Sequence, residues 1–224
     1  TGKLHGSHSA KLLPGGQKLN ETGNKILGIM PICNDASQLF KYGTVIQKKI
    51  FIDGLLNTLQ TLARNNVIHN DIKPQNMDWK GRSIDNGSMQ FNPNDDDCDD
   101  YGTPSYHCLY QQSPFRRKLF SKELKQRQDS FAAAATIYEV LTDERLDSKY
   151  ATGHFYQRSD GTDYYKLNAL TLYLYRQKIN DIRTKINAAS FPFEKSYTQQ
   201  LKIKLLNMTG TNETGPFCDG NNNY

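Results

Sequence analysis

Eight consecutive residues, His69-Asn70-Asp71-Ile72-Lys73-Pro74-Gln75-Asn76, carry the side chains of this chain best suited to chemistry. An acid at 71, a cation two residues on and an amide five residues on is unlike an ordinary polar turn. Together they match what phosphoryl transfer requires. A carboxylate must orient the attacking hydroxyl and accept its proton. A cation must sit near the transferring phosphoryl group, and oxygen ligands must hold magnesium. Asp71, Lys73 and Asn76 supply these in order. Taken alone, His69 reads as a core histidine and Asp71 as a turn cap.

Two further groups lie downstream. Asp85-Asn86-Gly87 has the composition of a type I′ turn and, after an Asp-x-Lys-x-x-Asn segment, also of a metal-binding turn. Residues 95–100 hold five Asp around Cys98. They lack the Gly and terminal Glu of a calcium loop, so they read as a solvated stretch able to mimic phosphorylation or to dock a basic partner. The cysteines Cys33, Cys98, Cys108 and Cys218 form no CxxC pair, which fits reduced thiols and a cytoplasmic setting. The net charge of +5 is mild, and basic groups such as Arg116-Arg117-Lys118 are short, so no nucleic-acid footprint emerges. No apolar run approaches about 18 residues, so no membrane span is expected.

The elements that must hold these residues follow from periodicity. The 224 residues, 37% hydrophobic and 23% charged, suffice for one large domain with a core. Residues 25–33 (KILGIMPIC) suit a buried strand. Ile52, Leu55, Leu56, Leu59 and Leu62 lie on one face of a helix expected over 44–66, with Gly54 a weak point inside it. Residues 67–91 read as short strands around turns, with Lys80-Gly81 a hairpin tip. Residues 92–128 read as a long polar loop. Residues 129–141 (DSFAAAATIYEVL) are apolar nearly all round and read as a buried helix. Further helices are expected over 163–187 and 196–208, and a frayed tail from Thr209. Tyr164, Tyr165, Tyr173 and Tyr175 lie near helical spacing and read as packing.

HNDIKPQN resembles the catalytic loop of protein kinases, H-R-D-x-K-x-x-N. Asp85-Asn86-Gly87 resembles the D-F-G magnesium motif, and Gly102-Thr103-Pro104-Ser105-Tyr106 the G-T-P-x-Y stretch near the end of kinase activation segments. Asp129-Ser130-Phe131-Ala132 resembles the start of the buried helix that anchors the catalytic loop. The resemblance covers residues 25–142. It implies an α+β, protein-kinase-like fold, mainly the helical C-terminal lobe. Residues 1–33 would form a partial or reduced small lobe ending in the hinge, 34–208 the large lobe and 209–224 a flexible tail. It implies ATP and magnesium as cofactors and Ser/Thr phosphorylation of a protein substrate, the pattern that Lys73 follows. Asp71 would be the base, Lys73 would stabilise the transferring phosphate, and Asn76 and Asp85 would hold magnesium. Thr103 would brace Asp71 and Lys73, Asp129 would hydrogen-bond the catalytic-loop backbone, and the main chain near Met30, Ile32 and Cys33 would meet adenine.

The chain departs from that pattern in places. No Gly-rich loop, no V-A-I-K strand and no acidic pairing helix is recognisable, so the small lobe is reduced or missing. Asn86 stands for the family's Phe, and Tyr110 falls where the Glu of its A-P-E motif would sit. Retention of Asp71, Lys73, Asn76 and Asp85 points to an enzyme. Loss of the small lobe points to the alternative, a pseudokinase acting as a binding or scaffold module. Phosphorylation of a small molecule fits less well, because G-T-P-x-Y resembles a protein-substrate platform. Compact, divergent kinases of this look occur among bacterial effectors secreted into host cells.

Asn70 stands where the family carries an Arg that pairs with a phosphate on the activation loop. A neutral amide cannot form that charge-assisted pair. Phosphorylation beside five Asp would add about −1.5 to −2 charges with no Arg to absorb them. Activity is therefore expected to be independent of activation-loop phosphorylation, being constitutive or switched on by a basic partner at 95–100. Assays of phosphatase-treated and untreated protein should agree. A large loss after treatment, restored by phosphorylation at Tyr101, Thr103 or Ser105, would contradict this.

Overall fold

In a computed structural model, the described residues are 34–91, 102–106, 122–146 and 169–211, with the backbone of two short strands before them. The fold is α+β and mostly helical. The strands β1 (Glu21–Thr22) and β2 (Lys25–Ile26) pair antiparallel. Next come a short helix α1 (Leu39–Tyr42) and the long α2 (Val45–Arg64). β3 (Val67–Ile68) and β4 (Gln90–Phe91) pair antiparallel, with Val67 opposite Phe91. Three helices follow, α3 (Lys122–Thr142), α4 (Ala169–Ala188) and α5 (Lys195–Thr209). Met30, Ile32 and Cys33, the acidic run 95–100 and Tyr110 lie outside the described residues.

Helix α2 starts at a reciprocal cap. The Thr44 hydroxyl accepts from Gln47 N at 3.2 Å, and Gln47 Oε1 accepts from Thr44 N at 2.9 Å. Its buried face, Phe51, Ile52, Leu55, Thr58 and Leu62, packs toward α3. Helix α3 is buried almost all round from Phe131 to Leu141, as its Ala-rich sequence requires. With α5 packed against it as well, α3 is the central post of the core. Each large side chain fully buried there contributes roughly 1.5–3 kcal/mol.

Two boundaries differ from the sequence reading. Helix α3 begins at Lys122, so residues 122–128, expected in the polar loop, are helical. Their polar sequence (KELKQRQ) hides the period that the apolar half shows. The expected frayed tail is ordered at its start. Gly210, at φ 69°, closes α5 with a bond from Thr211 N to Leu206 O, and Thr209 and Thr211 are buried with their hydroxyls 2.8 Å apart. Arg183 Nε also donates to Thr211 O at 2.7 Å.

The expected hairpin tip forms and rests on α2. Met77 pairs with Ser83, and Gly81 turns the chain at φ 73°. Gly54, the weak point of the helix in sequence, lies under this tip. A Cβ on Gly54 would come 1.8 Å from Lys80 O, a contact no side chain can make. Thr58 Oγ1 donates to Gly81 O at 2.8 Å and holds the two segments together. Elsewhere in a helix, Gly→Ala stabilises by about 1 kcal/mol. Gly54→Ala should instead destabilise by roughly 1–3 kcal/mol, the range for overpacking. Chemical denaturation checks this, and a more stable variant would contradict the packing.

Candidate active site

The segment after β3 bends sharply because Asn70 adopts the left-handed conformation, at φ 66°. Asn tolerates this region better than most residues. The bend aims two successive amides, His69 N and Asn70 N, at the buried Asp129 on α3. Its Oδ2 and Oδ1 accept them at 2.6 and 2.9 Å. The loop is thus pinned to the central helix just before Asp71.

Four of the residues singled out in sequence meet here. Thr103 Oγ1 donates to Asp71 Oδ1 at 2.8 Å, and Lys73 Nζ donates to Asp71 Oδ2 and to Thr103 Oγ1, both at 2.8 Å. Asn76 Nδ2 donates to Asp71 Oδ2 at 2.8 Å and to Asp71 O at 2.9 Å. Burial pushes the Asp71 carboxyl up, but the bonds from Lys73, Thr103 and Asn76 outweigh it and leave it below the usual carboxylate range. Asp71 is therefore ionised at neutral pH. The Asp71 and Lys73 side chains remain 17% and 23% exposed, enough for a reacting group to reach them. Lys73 keeps one of its three N–H donors beyond these two bonds.

Asp85 lies apart from this cluster's hydrogen bonds, exposed on the next turn. Neither Asn86 nor Gly87 has a positive φ, so the turn is not type I′. It is held instead by Gly87 N donating to Asp85 Oδ1 at 3.0 Å and Met89 N to Asn86 O at 3.2 Å. Among the described residues no three His, Cys, Asp or Glu side chains cluster as metal ligands. The donor set does suit a hard cation that keeps several waters. Asn76 spends its amide N–H groups on Asp71, which leaves Oδ1 as its ligand atom, and Asp85 keeps Oδ2.

Other members of the site were not singled out in sequence. Ser83 Oγ lies 2.7 Å from His69 Nε2 and donates to Asn86 Oδ1 at 2.5 Å. Ser88 Oγ donates to His69 O at 2.7 Å, and Asn70 Nδ2 donates to Ser88 O at 2.8 Å. Serines carry no spacing signal, so only the fold reveals them. Farther out, the Tyr106 hydroxyl donates to Glu139 on α3, and Arg145 Nη1 donates to Ser105 Oγ at 3.0 Å. These bonds anchor the 102–106 segment that carries Thr103. Burial and then Glu139 push the Tyr106 phenol up. No protein-family model and no curated protein matches this sequence.

Two buried groups set the response of the loop to pH. Burial outweighs the nearby Asp71 charge and lowers His69 to about 4, so it is neutral in the fold. Its contribution is complete above its ordinary value of 6.5 and is lost as pH falls through 4. Burial raises Asp129 to about 7 against the two amide bonds. Its contribution is complete below its ordinary 3.8 and is lost as pH rises through 7. Asp129→Asn turns one acceptor into an amide donor and orphans one buried N–H. The cost should be about 1–3 kcal/mol near neutral pH. It should grow toward pH 4, because the variant lacks the Asp129 proton uptake that offsets His69. Urea denaturation at several pH values checks this. A cost that is flat or shrinks on acidification would contradict the assignment.

Proposed function

We propose that the chain is a protein-kinase-like phosphotransferase that moves the γ-phosphoryl group of ATP to a Ser or Thr hydroxyl of a protein. The observation that carries this reading is the Asp71 carboxylate, held by Lys73, Thr103 and Asn76 and still open to solvent. Its lowered pKa makes it a weak base in the resting state. Its part is to accept a hydrogen bond from the acceptor hydroxyl, aim its oxygen, and take the proton as the bond to phosphorus forms. Lys73, with one donor to spare, supplies positive charge where negative charge builds up on the phosphoryl oxygens. Asn76 Oδ1 and Asp85 Oδ2 would hold magnesium, which neutralises phosphate charge when bound.

Resemblance supports the same reading. The order of Asp71, Lys73, Asn76, Asp85, Thr103 and Asp129 follows the kinase large lobe, and the hydrogen bonds from Thr103 and to Asp129 have partners that this resemblance implies. A protein acceptor follows from the anchored 102–106 segment, which resembles a substrate platform. The second reading, a pseudokinase scaffold, draws on how fully Asp71 is engaged. With Oδ2 taken twice and Oδ1 once, the cluster can also serve as a static brace.

The two readings separate on Asp71→Ala. Phosphoryl transfer by the full chain should fall at least about a hundredfold, the scale of a general acid–base contribution. The fold, followed by circular dichroism and urea denaturation, should change little, because the carboxylate belongs to no core contact. Unchanged turnover in the folded variant would overturn the assignment.

A further inference from the structure

Asn86 takes the place that an apolar side chain would hold in the family pattern, and the structure shows a polar use for it. Ser83 Oγ donates to Asn86 Oδ1 at 2.5 Å, and the same hydroxyl meets His69 Nε2 at 2.7 Å. Asp71 N donates to His69 Nδ1 at 3.4 Å. A hydroxyl has one proton, and both acceptors of the Ser83 hydroxyl lie in the turn, Asn86 Oδ1 at 2.5 Å and Asp85 O at 3.3 Å. His69 must then donate from Nε2 and accept at Nδ1. The result is one directed chain: Asp71 N–H to His69, His69 Nε2–H to Ser83, Ser83 O–H to Asn86. His69 and Ser83 are completely buried, so water does not compete for the bond between them, while Asn86 at the end of the chain is exposed.

A second strap runs beside the first. Asn70 Nδ2 donates to Ser88 O, and Ser88 Oγ donates back to His69 O. Together the straps grip residues 83, 86 and 88, on both sides of Asp85. The carboxylate itself takes no bond from the catalytic loop; Gly87 N, within its own turn, donates to it. Its direction is therefore set by the turn, and the turn by the straps.

We infer that Ser83 and Asn86 are positioning residues for magnesium: through His69 they fix the Asp85 turn against the catalytic loop, so that the Asp85 and Asn76 oxygens face one cation. This rests on the phosphotransferase reading. Such outer partners of a metal ligand matter at about the 10–100-fold level in metal affinity. A side chain at 86 that only filled space would be replaceable by Leu, whereas here Leu removes the acceptor and should fail.

The test uses the full chain with Ser83→Ala, Asn86→Leu and the conservative Ser83→Thr, and reads two properties. The first needs no activity. Proton–nitrogen NMR of the imidazoles should show His69 in the Nε2–H form with a slowly exchanging proton in the wild type, lost in Ser83→Ala and kept in Ser83→Thr. The second is magnesium titration of nucleotide binding by calorimetry, together with steady-state kinetics. The apparent magnesium constant should rise about tenfold in Ser83→Ala and Asn86→Leu. The kcat at saturating magnesium should fall less, and Ser83→Thr should restore the wild-type constant. A His69 proton on Nδ1, or unchanged magnesium dependence in both disruptive variants, overturns the inference and leaves the phosphotransferase reading standing. A wild type that shows the Nε2–H signal but binds no magnesium nucleotide overturns both.

Discussion

The site depends on one buried carboxylate. Asp129 projects from the central helix α3 and takes two successive backbone amides, His69 N and Asn70 N. In extended chain successive amides face opposite sides, and the left-handed Asn70 breaks that alternation after β3. The bend fixes where Asp71 begins, and Asp71 gathers Lys73, Asn76 and Thr103. Removing the carboxylate would leave the loop tied through the Asp71–Lys73–Thr103 cluster and by neutral side-chain bonds to Ser83 and Ser88. Such an anchor works because α3 is itself immobilised, buried from Phe131 to Leu141 between α2 and α5. A rigid post and a buried carboxyl acceptor together hold a loop that has almost no regular structure of its own.

Around that anchor the site is built from small polar side chains. Ser83, Asn86, Asn70 and Ser88 join the 83–88 segment to the loop of residues 69–76, and none of them is charged. Such a network is favourable only when nearly every member is satisfied, since each buried donor left alone costs as much as several made bonds gain. This one is closed. That suits a site with a single working geometry and makes the turn resistant to swinging. Asp71 follows the same logic: Lys73, Asn76 and Thr103 hold its carboxylate and lower its basicity.

Much of this was legible in the residues. The spacing of Asp71, Lys73 and Asn76 pointed to one cluster, and the resemblance to the kinase pattern implied Thr103 and Asp129. The helix expected over 44–66 from its apolar period forms over 45–64, and the one expected over 196–208 forms over 195–209. The Ala-rich half of α3 was readable, but its polar first turns were not, since a helix that presents no apolar stripe leaves no period. Gly54 read as a defect because a sequence does not show which segment approaches a helix. With Lys80 O lying where its Cβ would stand, the glycine is the condition for contact. Ser83 and Ser88 could not be found at all. A serine is common in turns, and only the position of His69 across the hairpin turns these two into partners.

The central claim is that the Asp71 cluster transfers a phosphoryl group. The most direct measurement is mass spectrometry of the full chain, incubated with magnesium and γ-18O-labelled ATP and an arrayed library of Ser- and Thr-containing peptides. The account predicts labelled phosphate esterified to Ser or Thr hydroxyls, on the peptides or on the chain itself. A folded chain that binds magnesium ATP yet leaves every hydroxyl unlabelled would contradict it.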